Sequence, residues 1–303
     1  MKKKIFVTGH KGLVGSSILK MLKKNGYKTI VRAKHELNLL NQDQVNSFFK
    51  RNKPDIVIHA AGKVGGILHN QTYPAQFIFE NSQMALNVIN NCHIYKVKKL
   101  INLGSACIYP KLAKQPLKES YLLNGKLESS NEAYAVAKIL SLKMTEYYKK
   151  QFKCNFLSLQ PTNLYGTNDN FNIKSGHVIP SLINKFHDGK INKKKYVEVW
   201  GSGNVKREFL FVDDLADAVL FLLTKKTNHN IINVGSGEEI TIKNLSKLIA
   251  SVIGFKGKII FNRNYPDGTP RKIVDTTILS EMGWRHKTKL KEGLMKVYKS
   301  FRN

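Results

Sequence analysis

Through its first half the chain alternates short apolar runs with segments of helical periodicity, and few architectures accept that rhythm. Residues 3–8, 29–31, 56–60, 99–104 and 156–160 read as strands. Residues 13–24, 43–51, 74–94 and 131–152 read as the helices between them. Strands that are apolar throughout need cover on both faces, which intervening helices supply. The expected fold is therefore α/β, a doubly wound parallel sheet that binds ligands beyond the carboxyl ends of its strands. After Gly166 the rhythm changes. Helices are expected over residues 178–187, 212–223 and 241–253, strands over 196–200 and 231–234, and a loop at Pro266-Asp267-Gly268-Thr269-Pro270. The chain is expected to rejoin the main sheet within residues 209–234. The predicted division is 1–166 plus 205–234 as a nucleotide-binding domain, with 167–204 plus 235–303 as a smaller C-terminal α/β substrate lobe.

Composition narrows the partners. The net charge is +29, yet the lysines are spread along all 303 residues and no nucleic-acid recognition motif accompanies them. An electropositive cleft for an anionic diphosphate ligand suits this charge better than a nucleic acid does. The start, Met1-Lys2-Lys3-Lys4, imitates the head of a signal peptide, but the apolar run ends at Thr8 and reads as a first strand. With no apolar run of about 20 residues, no membrane span is expected. Cys92, Cys107 and Cys154 are isolated, which argues against a disulfide framework or a thiolate metal site and suits a reducing cytoplasm.

Gly9-His10-Lys11-Gly12-Leu13-Val14-Gly15 follows the first strand and opens the first helix. Glycines there permit a tight turn and close approach of the backbone to a pyrophosphate held by helix-end amides, as in a Rossmann-type dinucleotide site. An acid at the end of the second strand would hold the ribose of NAD. This strand instead runs into Val31-Arg32-Ala33-Lys34, and Lys11 lies inside the turn, so the expected cofactor is NADP(H).

Tyr134-Ala135-Val136-Ala137-Lys138 sets a phenol and an ammonium one helical turn apart. A cation so placed is expected to lower the phenol's pKa for proton exchange. Gly104-Ser105-Ala106-Cys107 ends the fourth strand, where Ser105 can donate to a substrate oxygen. Glycine turn, strand-end Ser and YxxxK in this order resemble the extended short-chain dehydrogenase/reductase family.

Within it, Lys63-Val64-Gly65-Gly66-Ile67, Gly104 to Pro110, Pro161 to Gly166, His177 to Pro180, Val199 to Gly203, Arg207 to Leu210 and Pro266 to Lys272 resemble the GDP-L-fucose synthases. The resemblance implies 3,5-epimerisation of GDP-4-keto-6-deoxymannose followed by reduction of its ketone with NADPH. It implies Cys107 and His177 as base and acid of the epimerisations, and Ser105, Tyr134 and Lys138 for the reduction. It extends the cofactor site from Gly9, Lys11, Gly12, Leu13, Val14, Gly15, Arg32 and Lys34 to Leu39, Leu103, Gly104, Lys138, Pro161, Asn163, Leu164 and His177. For the GDP-linked keto-deoxy sugar it suggests Ser105, Asn163, Lys185, Trp200, Arg207 and Asp267. A homodimer through helices 74–94 and 131–152 is also implied.

Ala106 departs from the pattern, because the family often carries a second Ser there. Two alternatives stay open: a ketoreductase that does not epimerise, acting for example on a GDP-4-keto-6-deoxyheptose, and a non-catalytic NADP-binding protein.

Overall fold

The computed structural model describes residues 3–173, 175–265 and 267–302; Met1, Lys2 and Pro266 of the strings above lie outside them. The first half runs β1 (Lys4–Thr8), α1 (Leu13–Lys24), β2 (Lys28–Ile30), α2 (Gln42–Asn52), β3 (Ile56–His59), α3 (Ile67–Thr72), α4 (Pro74–Ile94), β4 (Lys99–Leu103), α5 (Glu132–Phe152), β5 (Phe156–Pro161) and β6 (Asn163–Tyr165). The second runs α6 (Val178–Ile191), β7 (Tyr196–Trp200), β8 (Lys206–Phe211), α7 (Val212–Thr224), β9 (Ile231–Val234), β10 (Glu239–Thr241), α8 (Ile242–Ile253), β11 (Lys258–Asn262), β12 (Arg271–Lys272), α9 (Thr277–Glu281) and α10 (Leu290–Arg302).

The main sheet has the order β2-β1-β3-β4-β5-β9, with every pair parallel. Alternation along β1 explains its two covered faces. Ile5 and Val7 meet Ile18 and Leu22 of α1 and Leu215, Val219 and Leu222 of α7, whereas Phe6 meets Phe48 and Phe49 of α2 and Val88 and Ile89 of α4. This is the doubly wound α/β sheet expected from the sequence. Strand order reverses between β1 and β3, so a crevice opens beyond their carboxyl ends.

The second sheet is β10-β8-β12 with β6 also paired to β8, and β7 pairs β11 in parallel beside it. Helices α6, α8 and α10 bury Ile183, Phe186, Leu245, Ile249, Leu294 and Val297 against it. Residues 206–211, grouped above with the first domain, form this sheet's β8. Leu210 reaches the main core while Phe209 and Phe211 point into the second, so the strand straddles the two layers. The chain returns to the main sheet only with β9. Helices α3, α9 and α10 and the short strands β6, β10, β11 and β12 add to the elements expected from the sequence. Among the described residues no helix is long and apolar enough to cross a membrane.

Candidate active site

One cavity of about 970 Å³ lies along the carboxyl edge of the main sheet and against the second layer. Every residue singled out above for cofactor, substrate or chemistry lines it.

The glycine turn forms its floor. Gly9 has φ +68°, which an L side chain rarely adopts, and a Cβ there would lie 2.8 Å from Ala60 O. A Cβ on Gly15 would strike the Gly9 carbonyl, whereas one on Gly12 would meet that carbonyl only at an ordinary 3.5 Å. Thr8 fixes the approach: its Oγ1 accepts from the amides of Ala60 (3.1 Å) and Ala61 (3.0 Å) and meets Nδ1 of buried His59 at 2.9 Å. Burial, with Lys138 adding to it, holds His59 down at about 3, so its imidazole is neutral.

Helix ends differ in a telling way. Asn41 and Thr241 cap α2 and α8 with their own side chains, accepting from Gln44 N at 2.9 Å and Asn244 N at 3.1 Å. At α1 the cap residue is Gly12, with no side-chain cap and no acid in the first turn. Its amides and dipole face the cavity, the local arrangement that receives a phosphate. Arg32 and Lys34 line the cavity at the same end. The nearby acid Glu36 is turned away, accepting from Ala33 N at 2.7 Å, and does not line the cavity. Uncapped amides, a turn whose outer glycines exclude Cβ atoms and two nearby cations fit the diphosphate and extra phosphate of NADP.

At the centre, β4 delivers Leu103, Gly104 and Ser105. A Cβ on Gly104 would strike the Gln160 side chain, whose Oε1 accepts from Ser105 N at 2.8 Å. Tyr134 and Lys138 project from α5, with Lys138 Nζ 5.7 Å from the phenol ring centroid and donating to Leu103 O at 2.9 Å. The expectation that Lys138 depresses the phenol is not how the resting site is arranged. Burial pushes Tyr134 well above its ordinary value, the nearby Cys107 adds to this, and the Ser105 hydroxyl opposes it. Burial also brings Lys138 down to about 8, with Cys107 working the other way. Both groups therefore hold their protons at neutral pH, the state a proton donor requires.

Cys107 and His177 carry the opposite presets. Burial works against a Cys107 thiolate, but Lys272, Ser105 and His177 outweigh it and bring the thiol below its ordinary value. Lys272 Nζ donates to Sγ at 3.2 Å and Asn131 Nδ2 at 3.3 Å. His177 stands at the start of α6, its Nδ1 3.9 Å from Asp169 Oδ1. Asp169 raises His177 above the ordinary imidazole value against burial, and Cys107 adds to the effect. The thiol is thus shifted toward its charged form and the imidazole toward its own, each favouring the other.

The far wall is cationic and aromatic. Lys185 Nζ lies 4.2 Å from the Trp200 ring centroid and donates to Glu198 O at 3.1 Å. Trp200 stacks on Tyr265, centroids 4.4 Å apart and 13° between planes. Arg207 donates to Asp267 O at 3.2 Å, and Asp267 Oδ1 accepts from Ser202 N at 2.8 Å. Asn163 donates to Glu208 O at 2.9 Å. Among the described residues, no group of His, Cys, Asp and Glu is arranged to hold a metal ion.

Sequence reasoning missed Lys272, Asn131, Asp169 and Tyr265 as site residues. Lys272 ends a string already noted and Asn131 stands at a helix start, but neither position announces a contact with Cys107.

The family model for the NAD dependent epimerase/dehydratase family matches residues 5–235. GDP-L-fucose synthase 1 of Arabidopsis thaliana is 49% identical over 97% of this chain and 92% of its own length. A GDP-6-OMe-4-keto-L-xylo-heptose reductase from C. jejuni superposes with a TM-score of 0.93, at 35% identity over 99% of this chain and 98% of that one. A GDP-L-fucose synthetase from Naegleria fowleri, solved bound to NADP, gives a TM-score of 0.91 at 27% identity over 100% and 95% of the two chains.

Proposed function

This chain belongs to the NAD dependent epimerase/dehydratase family, and on that footing we propose that it converts GDP-4-keto-6-deoxymannose to GDP-L-fucose. The observation that carries the reading is the placement on one cavity of Cys107, its thiol drawn down by Lys272, and His177, its imidazole raised by Asp169, together with a Ser105–Tyr134–Lys138 group.

In the proposed sequence, Cys107 removes a proton from a carbon beside the ketone and leaves an enolate. His177 returns a proton from the opposite face, which inverts that carbon; positions 3 and 5 are both inverted. NADPH, when bound, supplies the hydride that reduces the ketone carbon. Tyr134 protonates the ketone oxygen, and Ser105 donates a hydrogen bond that orients it. Lys138 keeps its ammonium fixed on Leu103 O beside the phenol.

The dinucleotide would be held by Gly9, Lys11, Gly12, Leu13, Val14 and Gly15 at its diphosphate, and by Arg32 and Lys34 at its extra phosphate. Leu39, Leu103, Gly104, Lys138, Pro161, Asn163, Leu164 and His177 would flank the rest. Lys185, Arg207, Trp200, Asp267 and Asn163 would hold the GDP-sugar, whose diphosphate the two cations suit. Residues 1–166 with α7 and β9 then serve the cofactor, and the second layer serves the sugar nucleotide.

Superposition on the heptose reductase raises a reading in which only the ketone is reduced. The retained Cys107 and His177 favour epimerisation as well. Ala106 is buried in the apolar cluster of Ile108, Leu117 and Leu142 and also borders the cavity between Ser105 and Cys107. The exposed apolar residues Phe79 and Leu86 of α4 and Val136, Leu140 and Tyr147 of α5 support a homodimer through these helices. The free cysteines Cys92, Cys107 and Cys154 support a cytoplasmic setting.

NMR of the protein with GDP-4-keto-6-deoxymannose in deuterated water tests the function. Deuterium at positions 3 and 5, then GDP-L-fucose once NADPH is added, is the expected result. Reduction without deuterium would instead make it a plain ketoreductase.

A further inference from the structure

Two nitrogen donors reach the Cys107 sulfur from separate parts of the chain: Lys272 from β12 and Asn131 from the start of α5. Ser105 Oγ lies alongside, accepting from Cys107 N at 3.2 Å. A neutral thiol sulfur is a weak acceptor, whereas a thiolate draws strength from an ammonium and an amide N–H.

Lys272 is not a loose surface lysine that happens to reach inward. It is half-buried, and β12 pairs in parallel with β8 so that Lys272 lies beside Arg207. Arg271 Nε donates to Glu239 Oε2 at 2.6 Å on one side of it. On the other, Ile273 N donates to Gln115 Oε1 at 3.0 Å and Val274 N to buried Glu208 Oε2 at 2.9 Å. The Ile273 carbonyl accepts from Leu117 N at 2.8 Å. The backbone around Lys272 is clamped from both layers, which preorganises the ammonium against the sulfur. Arg207 is turned instead to the Asp267 carbonyl.

We propose that Lys272, aided by Asn131, is the positioning residue that holds Cys107 as a thiolate, so that proton abstraction depends on a strand of the second layer. The proposal rests on the reading of Cys107 as the epimerisation base. In that step the sulfur lone pair forms the S–H bond while the C–H electron pair passes into the enolate. Lys272 keeps its proton, and its attraction shifts from the neutralised sulfur toward the enolate charge. The other groups facing the sulfur are Tyr134 and Lys138 from α5, His177 at the start of α6 and Arg207 from β8. After burial, which opposes the thiolate, Lys272 has the largest influence on the sulfur.

The test is the pH dependence of iodoacetamide alkylation in the full chain, read on the Cys107 peptide by mass spectrometry. Lys272→Met and Lys272→Gln are both compared with wild type. The alkylation midpoint is expected to rise by about one pH unit or more in either variant. Deuterium exchange into GDP-4-keto-6-deoxymannose should fall by up to about tenfold at neutral pH, in step with the midpoint shift, and recover at higher pH. Lys272→Arg should restore both. An unmoved midpoint in a variant that retains wild-type circular dichroism overturns the inference. A midpoint that moves, in a protein whose wild type exchanges no deuterium, upholds Lys272 as the thiolate's partner and overturns the epimerase reading instead.

Discussion

The two walls of the cavity are built on different principles. The cofactor-side wall works through backbone: Gly9 at positive φ, Gly15 against the Gly9 carbonyl, and the uncapped amides of α1. The opposite wall works through side chains carried on α6, short strands and a loop, with Lys185, Trp200, Arg207, Asp267 and Lys272 each oriented by neighbours from other segments. Backbone contacts tolerate almost no added atom, while side-chain contacts tolerate replacements that keep charge and reach. The first wall should therefore be rigid in sequence and the second tunable. Between them stand the proton carriers, whose charge states are set by both walls together.

The steepest loss is expected between the walls. Tyr134→Phe removes the proton donor and should cut NADPH oxidation by about 10²–10⁴-fold. NADPH binding, followed by fluorescence, should stay close to wild type. Near-normal turnover would remove Tyr134 from the reduction.

Paired substitutions probe the contrast between the walls directly. Gly15→Ala forces a methyl against a backbone carbonyl and should cost about 1–3 kcal/mol of stability, read as a lower thermal midpoint, with weaker NADPH binding. Arg207→Lys keeps the cation and should leave the midpoint unchanged while raising the KM for the GDP-sugar by about three- to tenfold. A neutral Gly15→Ala would show that the backbone wall is as adaptable as the other.

A milder change concerns pH. Asp169 raises His177, so its imidazolium persists above the ordinary imidazole value and the acid is lost only as pH climbs through that raised value. Asp169→Asn should move the basic limb of deuterium exchange to lower pH. An unshifted limb would detach Asp169 from the acid.

Much of the first wall is legible in the residues themselves. Gly9 to Gly15 is a contiguous string whose meaning depends on the strand before it and the helix after it. Tyr134 and Lys138 are neighbours because a helix repeats every 3.6 residues. The second wall is legible mainly as strings resembling a family, without contacts. Strand β8 escapes the periodic pattern for a physical reason: Leu210 faces one core and Phe209 and Phe211 the other, so the run is apolar on both sides and straddles the two layers. Two-residue β12 carries no periodicity at all, yet it delivers Lys272.

The α/β class, the dinucleotide turn and the one-turn spacing of Tyr134 and Lys138 follow from the order of amino acids alone, because helix period, strand burial and glycine conformation are local properties. The charge states follow from the folded arrangement. Lys272 meets Cys107 across 165 positions, and Tyr134 is raised by burial although a lysine lies one turn away. Electrostatic influence follows distance and desolvation in space, and neither is written in the separation of residues along the chain.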